Sequence, residues 1–269
     1  MIQSKQQAAI FSCDDKHISR QETLVSEEAL QIIVNGEDFS LTMQTPGAEK
    51  ALVRGLLFAE GISADEFASC EITRHENAAV IRVQLISQNI EISNQRRLSS
   101  TSSCGLCGKR NIDKLLSRLK MVDKNICVST QLIENIFAEV SNQQALFEQT
   151  GGCHAASAAT ESGEILCVYE DIGRHNAVDK VIGHLLEKKQ LEQAAILTVS
   201  GRVSFEIIQK CNRAGIPVLA AISAPSSLAV EMAQKSNTTL AAFCRRGKAT
   251  FYSGFQRIVP SCETEQQKV

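Results

Sequence analysis

Apolar residues in the first third of the chain alternate in short runs and then change to a helical spacing. The runs Leu30–Asn35 and Phe39–Met43 predict two strands joined by a Gly-containing turn. A helix is predicted to open at Thr45-Pro46, with proline at its first position, and to end at Gly61. Near alternation over Ala78–Ile86 predicts a further strand. The polar first 25 or so residues indicate a loose arm or an edge strand, so this third predicts a small α+β unit.

The middle of the chain marks a change in organisation. Ser99–Gly108 is rich in serine and glycine and has no apolar periodicity, which indicates a flexible loop. Helices are predicted over about Ile112–Lys120 and Thr130–Phe147. We place a domain boundary in this stretch and divide the chain into residues 1–125 and 126–269.

The C-terminal part alternates strands with helices, which predicts an α/β domain built on a largely parallel sheet with right-handed crossovers. Asn176 is predicted to cap the first helix of this part. The other predicted helices are Val203–Arg213 and Ser226–Lys235, and the predicted strands are Ala155–Thr160, Glu164–Tyr169, Ala195–Val199, Ile216–Ile222, Thr239–Cys244 and Ala249–Tyr252. The fold class predicted for the whole chain is therefore α/β, with a smaller N-terminal α+β domain.

That order of elements points to a binding site, because ligands of open α/β sheets lie beyond the carboxyl ends of the strands. Three strand-to-helix loops fall there, at residues 170–175, 200–202 and 223–226, and they offer small residues, helix starts or cations suited to an anion. Their candidate binding residues are Arg174, His175, Ser200, Gly201, Arg202 and Ser223.

A basic segment follows the last predicted helix. It places three cations around a glycine turn and consists of Phe243, Cys244, Arg245, Arg246, Gly247 and Lys248. The segment is either an ordinary basic hairpin tip or a clamp on a phosphorylated ligand.

Composition narrows the function classes. Hydrophobic residues make up 43% of the 269 residues, and the formal net charge is −2, so no global basic field attracts nucleic acid. No apolar run approaches the roughly 18 residues that span a bilayer, and the N-terminus lacks a secretory h-region. We therefore expect a cytoplasmic protein without a membrane or nucleic-acid partner, whose ten cysteines are mostly reduced.

The pair Cys104 and Cys107 is the most informative chemical feature. The two thiols are separated by two residues and can reach each other. The nearby cations Lys109 and Arg110 favour the reactive thiolate form. Disulfide exchange, half of a zinc site and sulfur carriage as a persulfide all use this spacing. A four-cysteine zinc site usually needs a second CxxC, which the chain lacks, and the loop is too long and serine-rich for a thioredoxin-type motif.

Cys153-His154 resembles the first half of a zinc-deaminase signature. That chemistry needs a glutamate two residues after the histidine, and here Ala156 stands there. The Pro-Cys-x-x-Cys half is also absent. Cys153 and His154 are thus either core residues or lining of a pocket.

Six stretches together resemble the formate dehydrogenase accessory sulfurtransferase family, FdhD. In chain order they are SSCGLCGK (102–109), TGGCHAASA (150–158), EDIGRHNAVDK (170–180), SGRVSFEIIQK (200–210), SAPSSLAVEMA (223–233) and FCRRGKAT (243–250). The resemblance implies a cytoplasmic homodimer that takes persulfide sulfur from a cysteine desulfurase. It further implies that this sulfur passes to the bis-guanylyl molybdenum cofactor, Mo-bis(molybdopterin guanine dinucleotide), before the cofactor enters the catalytic subunit of formate dehydrogenase.

The resemblance also assigns residues and a fold. Cys104 matches the cysteine that bears the persulfide, Cys107 matches its partner, and Phe243 to Lys248 match the cofactor-binding segment. It implies a C-terminal domain similar to the cytidine deaminase fold in three layers, without zinc, and guanine-nucleotide binding by the strand-end loops.

Two other functions stay open. The chain could be a non-catalytic chaperone that holds the guanylyl cofactor and docks onto its client. A metal-dependent hydrolase or deaminase is the third hypothesis, against which the missing glutamate and the missing second CxxC both argue.

Overall fold

The computed structural model describes residues 2–11, 17–76, 78–87 and 119–260. Its strands are β1 (Gln3–Phe11), β2 (His17–Val25), β3 (Glu28–Val34), β4 (Glu37–Gln44), β5 (Phe67–Arg74), β6 (Ala78–Leu85), β7 (His154–Ala159), β8 (Ile165–Asp171), β9 (Ile196–Val199), β10 (Val218–Ala221), β11 (Thr239–Arg245) and β12 (Lys248–Ser253). Its α-helices are α1 (Glu49–Glu60), α2 (Thr130–Asn142), α3 (Ala145–Thr150), α4 (Arg174–Lys188), α5 (Phe205–Arg213) and α6 (Ser227–Lys235). Single 3₁₀ turns occur at Ala64–Glu66, Leu191–Gln193 and Phe255–Arg257.

Packing divides the described residues into two compact units that interleave along the chain. Unit 1 holds the described residues up to 87 with Gln144–Ala155 and Tyr169–Glu187, and unit 2 holds 119–143, Ala156–Val168 and 188–260. The predicted division into residues 1–125 and 126–269 stays a prediction about folding domains.

A four-stranded sheet in the order β4-β3-β6-β5 forms the framework of unit 1. Strands β3 and β6 pair in parallel, and β4 and β5 pair with them in antiparallel fashion. Every second residue of β3 and β6 is buried, which is the alternation that predicted these strands. The core of the unit consists of Leu30, Ile32, Val34, Phe39, Leu52, Val53, Leu56, Leu57, Ile62, Ala79, Ile81, Val83 and Leu85.

Strand β5 was not predicted from the sequence, and the N-terminal region has more regular structure than was predicted. Strand β5 has no buried residue and is exposed at five of its eight positions, so it has no clear apolar alternation. Of the two predicted alternatives for the first 25 or so residues, the structure has strands and not a loose arm, since β1 and β2 pair in antiparallel fashion.

Helix α1 begins at Glu49, three residues later than predicted. Gly47 adopts φ +123°, which interrupts the helical conformation. The Glu49 carboxylate accepts the N–H of Gly47 at 3.0 Å and a guanidinium N–H of Arg74 at 2.6 Å. Burial raises the pKa of the Glu49 carboxyl, but these hydrogen bonds outweigh it, and the pKa lies below its ordinary value.

Helices α1 and α4 cross at two glycines within unit 1. A Cβ added to Gly183 would lie 1.8 Å from the carbonyl oxygen of Ala51, and one added to Gly55 would lie 1.9 Å from that of Asp179. The two backbones therefore touch at this crossing, and each glycine is required there by close approach.

The second sheet has six strands in the order β12-β11-β10-β9-β7-β8. Strands β9, β10 and β11 are parallel, whereas β7 runs antiparallel to β9 and β12 runs antiparallel to β11. The mixed α/β class is thus confirmed, but the prediction of a largely parallel sheet is wrong. Strand β12 follows β11 after two residues, and a connection that short joins only antiparallel strands.

Two other predicted elements differ from the structure. The helix predicted over Thr130–Phe147 is interrupted at Gln143 and Gln144, which separate α2 from α3. The predicted loop Ser99–Gly108 and residues 112–118 of the predicted helix Ile112–Lys120 lie outside the described residues, and residues 119 and 120 are not helical.

Candidate functional site

Two of the three predicted binding loops, residues 200–202 and 223–226, lie in unit 2 together with the basic segment 243–248. The parallel register pairs Val199 with Ala221, so β9 and β10 end side by side. Strand β11 continues the parallel array, since Ala220 pairs with Ala241. The loops that follow these strands contain Ser200 and Ser223, and they therefore lie at the same edge, as the order of elements predicted. We call this the strand-end edge.

Backbone hydrogen bonds link the loops to one another. The N–H of Val203 donates to the carbonyl of Ala224 at 3.0 Å, and the N–H of Ser226 donates back to Val203 at 2.9 Å. The N–H of Phe243 donates to the carbonyl of Ser223 at 3.3 Å. These bonds hold the two predicted loops and the start of the basic segment next to one another.

Phe243 occupies a β-bulge in a strained conformation. Between the pairs Ala242–Thr250 and Arg245–Lys248, β11 carries two residues and β12 carries one. Phe243 has φ +53° there, a value that costs a bulky side chain about 1–2 kcal/mol. The bulge leaves the Phe243 ring 38% exposed at the strand-end edge. Strain of this kind concentrates at ligand sites.

The cationic segment ends in a tight hairpin turn. Arg246 and Gly247 have φ +54° and +68°, the two left-handed residues of a type I′ turn. Arg245, Arg246 and Lys248 are exposed around the turn, and Arg202 is exposed on the loop after β9. Across the described part of the chain, none of these four cations forms an ion pair. Exposed cations of this kind can bind the anionic groups of a ligand.

Ser204 is a residue of this edge that sequence analysis missed. It stands at the N-cap of α5, yet its side chain caps no backbone N–H. Its Oγ is buried and has no hydrogen-bond partner among the described residues. By contrast, the hydroxyl of Ser226 accepts the N–H of Ala229 and caps α6 in the usual way. A serine directly before a helical pattern was the available signal.

The predicted loop 170–175 belongs to unit 1, where a buried ion pair fixes it. The Asp171 carboxylate accepts Lys180 Nζ at 2.6 Å, and the two side chains are 0% and 2% exposed. The same carboxylate accepts the N–H groups of Thr45 and Gly173 at 3.1 and 2.8 Å. Asp171 thus lies at the start of α4, where its negative charge is favoured by the helix dipole.

Asn176 takes part in the same network and does not cap the helix. Helix α4 begins at Arg174, so Asn176 lies within its first turn. The Asn176 amide donates to the carbonyl of Met43 at 2.8 Å and to Asp171 at 3.0 Å. Arg174 and His175 follow directly after this fixed loop, and the Arg174 Nε is buried without a hydrogen-bond partner among the described residues. Their role in binding stays a prediction.

Comparison with known proteins identifies the family. The sequence profile of the FdhD/NarQ family matches residues 25–259. The chain belongs to the FdhD/NarQ family.

Three relatives of this FdhD/NarQ protein share the name sulfur carrier protein FdhD. The protein of Streptomyces coelicolor is 39% identical over 89% of this chain and 90% of its own length. That of Mycolicibacterium paratuberculosis is 42% identical over 90% and 93%, and that of Mycobacterium tuberculosis is 41% identical over 91% and 94%. The similarity extends over nearly the full length of each relative.

A solved structure shares the fold. The crystal structure of a protein from Desulfotalea psychrophila, named there as a formate dehydrogenase accessory protein, superposes with a TM-score of 0.77. It covers 96% of this chain and 100% of its own length at 23% identity. This likeness supports the α/β architecture described above.

The described cysteines of this FdhD/NarQ protein are poor nucleophiles where their pKa departs from the ordinary value. Burial and the Glu170 carboxylate, which accepts the Cys153 thiol at 3.3 Å, raise the pKa of Cys153 to about 12. Burial raises the pKa of Cys167 to about 12 and that of Cys244 to about 11. At neutral pH each is a thiol, which neither attacks a persulfide nor holds one readily.

Cys104 and Cys107 lie outside the described residues. Their assignment as the sulfur-bearing pair therefore stays a prediction.

The described residues offer no group of three or more histidine, cysteine, aspartate or glutamate side chains arranged to hold a metal ion. His154 is half-buried at the first position of β7, next to the buried Cys153. Among the described helices, none combines the length and the apolar character needed to cross a membrane.

Proposed function

We propose that this FdhD/NarQ protein is a sulfurtransferase that carries sulfur as a persulfide from a cysteine desulfurase to the bis-guanylyl molybdenum cofactor of formate dehydrogenase. In this proposal Cys104 bears the sulfur, Cys107 assists its release, and the strand-end edge binds the cofactor as substrate. The protein acts as a cytoplasmic homodimer. The relatives named as sulfur carriers support the sulfur-transfer part of the proposal.

The observation that carries the cofactor-binding part is the convergence of loops 200–202 and 223–226 with the basic segment 243–248 at the strand-end edge. The two guanylyl arms of the proposed substrate carry anionic diphosphates. Four exposed cations, two helix starts and the buried hydroxyl of Ser204 supply the donors that such phosphates require. The exposed ring of Phe243 offers an apolar surface for a base.

The first step of the sulfur relay involves no net oxidation or reduction. The Cys104 thiolate attacks the terminal sulfur of the desulfurase persulfide, the donor S–S bond breaks, and the donor cysteine leaves as thiolate. In the second step the Cys107 thiolate attacks Cys104 Sγ, which releases hydrosulfide toward the molybdenum centre and forms a Cys104–Cys107 disulfide. The dithiol is oxidised by two electrons and the carried sulfur is reduced by two. A dithiol reductant then restores the pair.

Mass spectrometry tests the first step. After incubation with a cysteine desulfurase and cysteine, peptide mapping should find about 32 Da added at Cys104. Cys127 is the matched control, because it is exposed but lies on the segment before α2. The proposal fails if wild-type protein gains no mass, or if Cys104→Ala gains the same mass as wild type at another cysteine.

Chaperoning of the cofactor without sulfur transfer is the second candidate function. The strand-end edge favours it, since the described binding features need no reactive thiol. The two functions separate in a Cys104→Ala variant supplied to cells that lack the protein. Full formate dehydrogenase activity in that variant would establish chaperoning as sufficient, whereas lost activity with retained guanine-nucleotide binding supports sulfur transfer. Guanosine diphosphate serves as the mimic of one guanylyl arm in the binding assay.

A further inference from the structure

A carboxylate holds the tip of the cationic hairpin. Glu134, on α2, accepts the backbone N–H of Gly247 through Oε1 at 2.8 Å. A Cβ added to Gly247 would lie 3.6 Å from the other oxygen of the same carboxylate. Both groups belong to unit 2, and the turn between β11 and β12 makes this contact at its tip.

Helix α2 is a fixed support for that carboxylate. Its residues Ile133 and Ile136 are 1% and 2% exposed and belong to the core of unit 2. Ser129 caps the helix by accepting the N–H of Leu132 at 3.1 Å. Glu134 therefore presents its carboxylate from a rigid element, while the hairpin that it holds is exposed at Arg245, Arg246 and Lys248.

The choice of an acidic residue at this place needs an explanation. A negative charge beside three cations lowers their attraction for an anionic ligand. The carboxylate also makes a charge-assisted hydrogen bond, which is stronger than a neutral one and fixes the orientation of a peptide group. We propose that Glu134 is a positioning residue, which holds the Arg246–Gly247 turn in the geometry that directs its cations at the phosphates of the bound nucleotide.

This inference rests on the proposed function, because it assumes that the cationic turn binds a nucleotide. Three variants separate the geometric role of Glu134 from its charge. Glu134→Gln keeps an acceptor oxygen and removes the charge, whereas Glu134→Ala removes both. Glu139→Ala is the matched control, since Glu139 is an exposed acid on the same helix whose side chain contacts Gln143.

Isothermal titration with guanosine diphosphate measures the effect on binding. Glu134→Gln should bind as tightly as wild type or about two-fold more tightly, because the repulsion between the Glu134 carboxylate and the anionic ligand near the surface is weak. Glu134→Ala should bind on the order of five-fold more weakly than Glu134→Gln, since the turn must be ordered on binding. Glu139→Ala should match wild type within about two-fold. Equal or tighter binding by Glu134→Ala than by Glu134→Gln would overturn the positioning role.

Amide exchange at Gly247 tests the positioning role without any ligand. Exchange should be on the order of five-fold faster in Glu134→Ala than in wild type and nearly unchanged in Glu134→Gln. If wild-type protein binds no guanosine diphosphate, the proposed nucleotide site is wrong. The exchange measurement still decides whether Glu134 holds the turn, and equal exchange in all variants would overturn that claim.

Discussion

Replacing Lys180 by methionine should destabilise the protein strongly, because it leaves a buried charge without its counter-ion. Lys180 and Asp171 lie 2.6 Å apart and are 2% and 0% exposed. Breaking a buried ion pair by removing one partner costs about 3–5 kcal/mol. The Asp171 carboxylate keeps three other donors, from Thr45, Gly173 and Asn176. We therefore expect a loss of about 3 kcal/mol, at the lower end of that range.

Urea unfolding followed by far-UV circular dichroism measures this loss, provided that the slope against urea is unchanged. Lys235→Met is the matched control. Lys235 pairs with Glu231 at 2.8 Å, also from within a helix, but both side chains are about half exposed. This control should lose less than about 0.5 kcal/mol. The reasoning is refuted if Lys180→Met loses less than about 1 kcal/mol, or no more than the control.

Three further predictions follow from the described residues. Gly183→Ala should lower the free energy of unfolding by about 2 kcal/mol, because the clash with Ala51 outweighs a helix-propensity gain of about 1 kcal/mol; unchanged stability in urea would contradict the helix crossing. The Glu49 carboxyl, whose pKa is lowered on folding, contributes stability above its unfolded pKa near 4.5 and loses it as pH falls through the folded value. Glu49→Gln should accordingly be less stable than wild type at neutral pH by about 1 kcal/mol. The urea midpoints of the two proteins should converge in acid, and a difference that does not change with pH would contradict this role of the Glu49 charge. Cys153, with its pKa near 12, should be alkylated by iodoacetamide at least about 100-fold more slowly than the exposed Cys127 in peptide mapping, and similar rates would show that it is an accessible thiolate.

The sequence predicted the fold wherever one physical rule dominated. Alternation in β3 and β6 matched the buried face of the sheet, and the predicted helix Ser226–Lys235 agrees with α6 to within one residue. The order of strands and helices after residue 195 also located the strand-end edge, since parallel strands end at one side of a sheet.

Prediction failed where contacts distant in sequence override local signals. Thr45-Pro46 reads as a helix start, but the backbone of Thr45 bonds to Asp171 and Lys180, which lie more than a hundred residues away in the chain. Asn176 was predicted as a helix cap because asparagine is common at that position. In the structure its side-chain amide instead donates hydrogen bonds to two partners, Met43 and Asp171. These long-range hydrogen bonds of Thr45 and Asn176 cannot be predicted from the residues next to them in the sequence.

The candidate site was likewise predicted only in part. Glycine and the cations of residues 243–248 were visible in the sequence, whereas the left-handed conformation of Phe243 and the support from Glu134 were not. Phenylalanine rarely adopts a positive φ, so no propensity rule predicts the bulge. Glu134 precedes the turn by more than a hundred residues and lies on a helix with many other polar positions.

Transfer of labelled sulfur tests the central claim most directly. Protein loaded with ³⁵S-persulfide is mixed with formate dehydrogenase whose cofactor lacks this sulfur, and label and activity are followed in the re-isolated enzyme. Our account predicts that label and activity appear together with wild-type protein, are absent with Cys104→Ala, and are reduced when Arg245 and Arg246 are both replaced by alanine. Activation by Cys104→Ala equal to that by wild type, or activation without label, would contradict the claim that this protein delivers the sulfur.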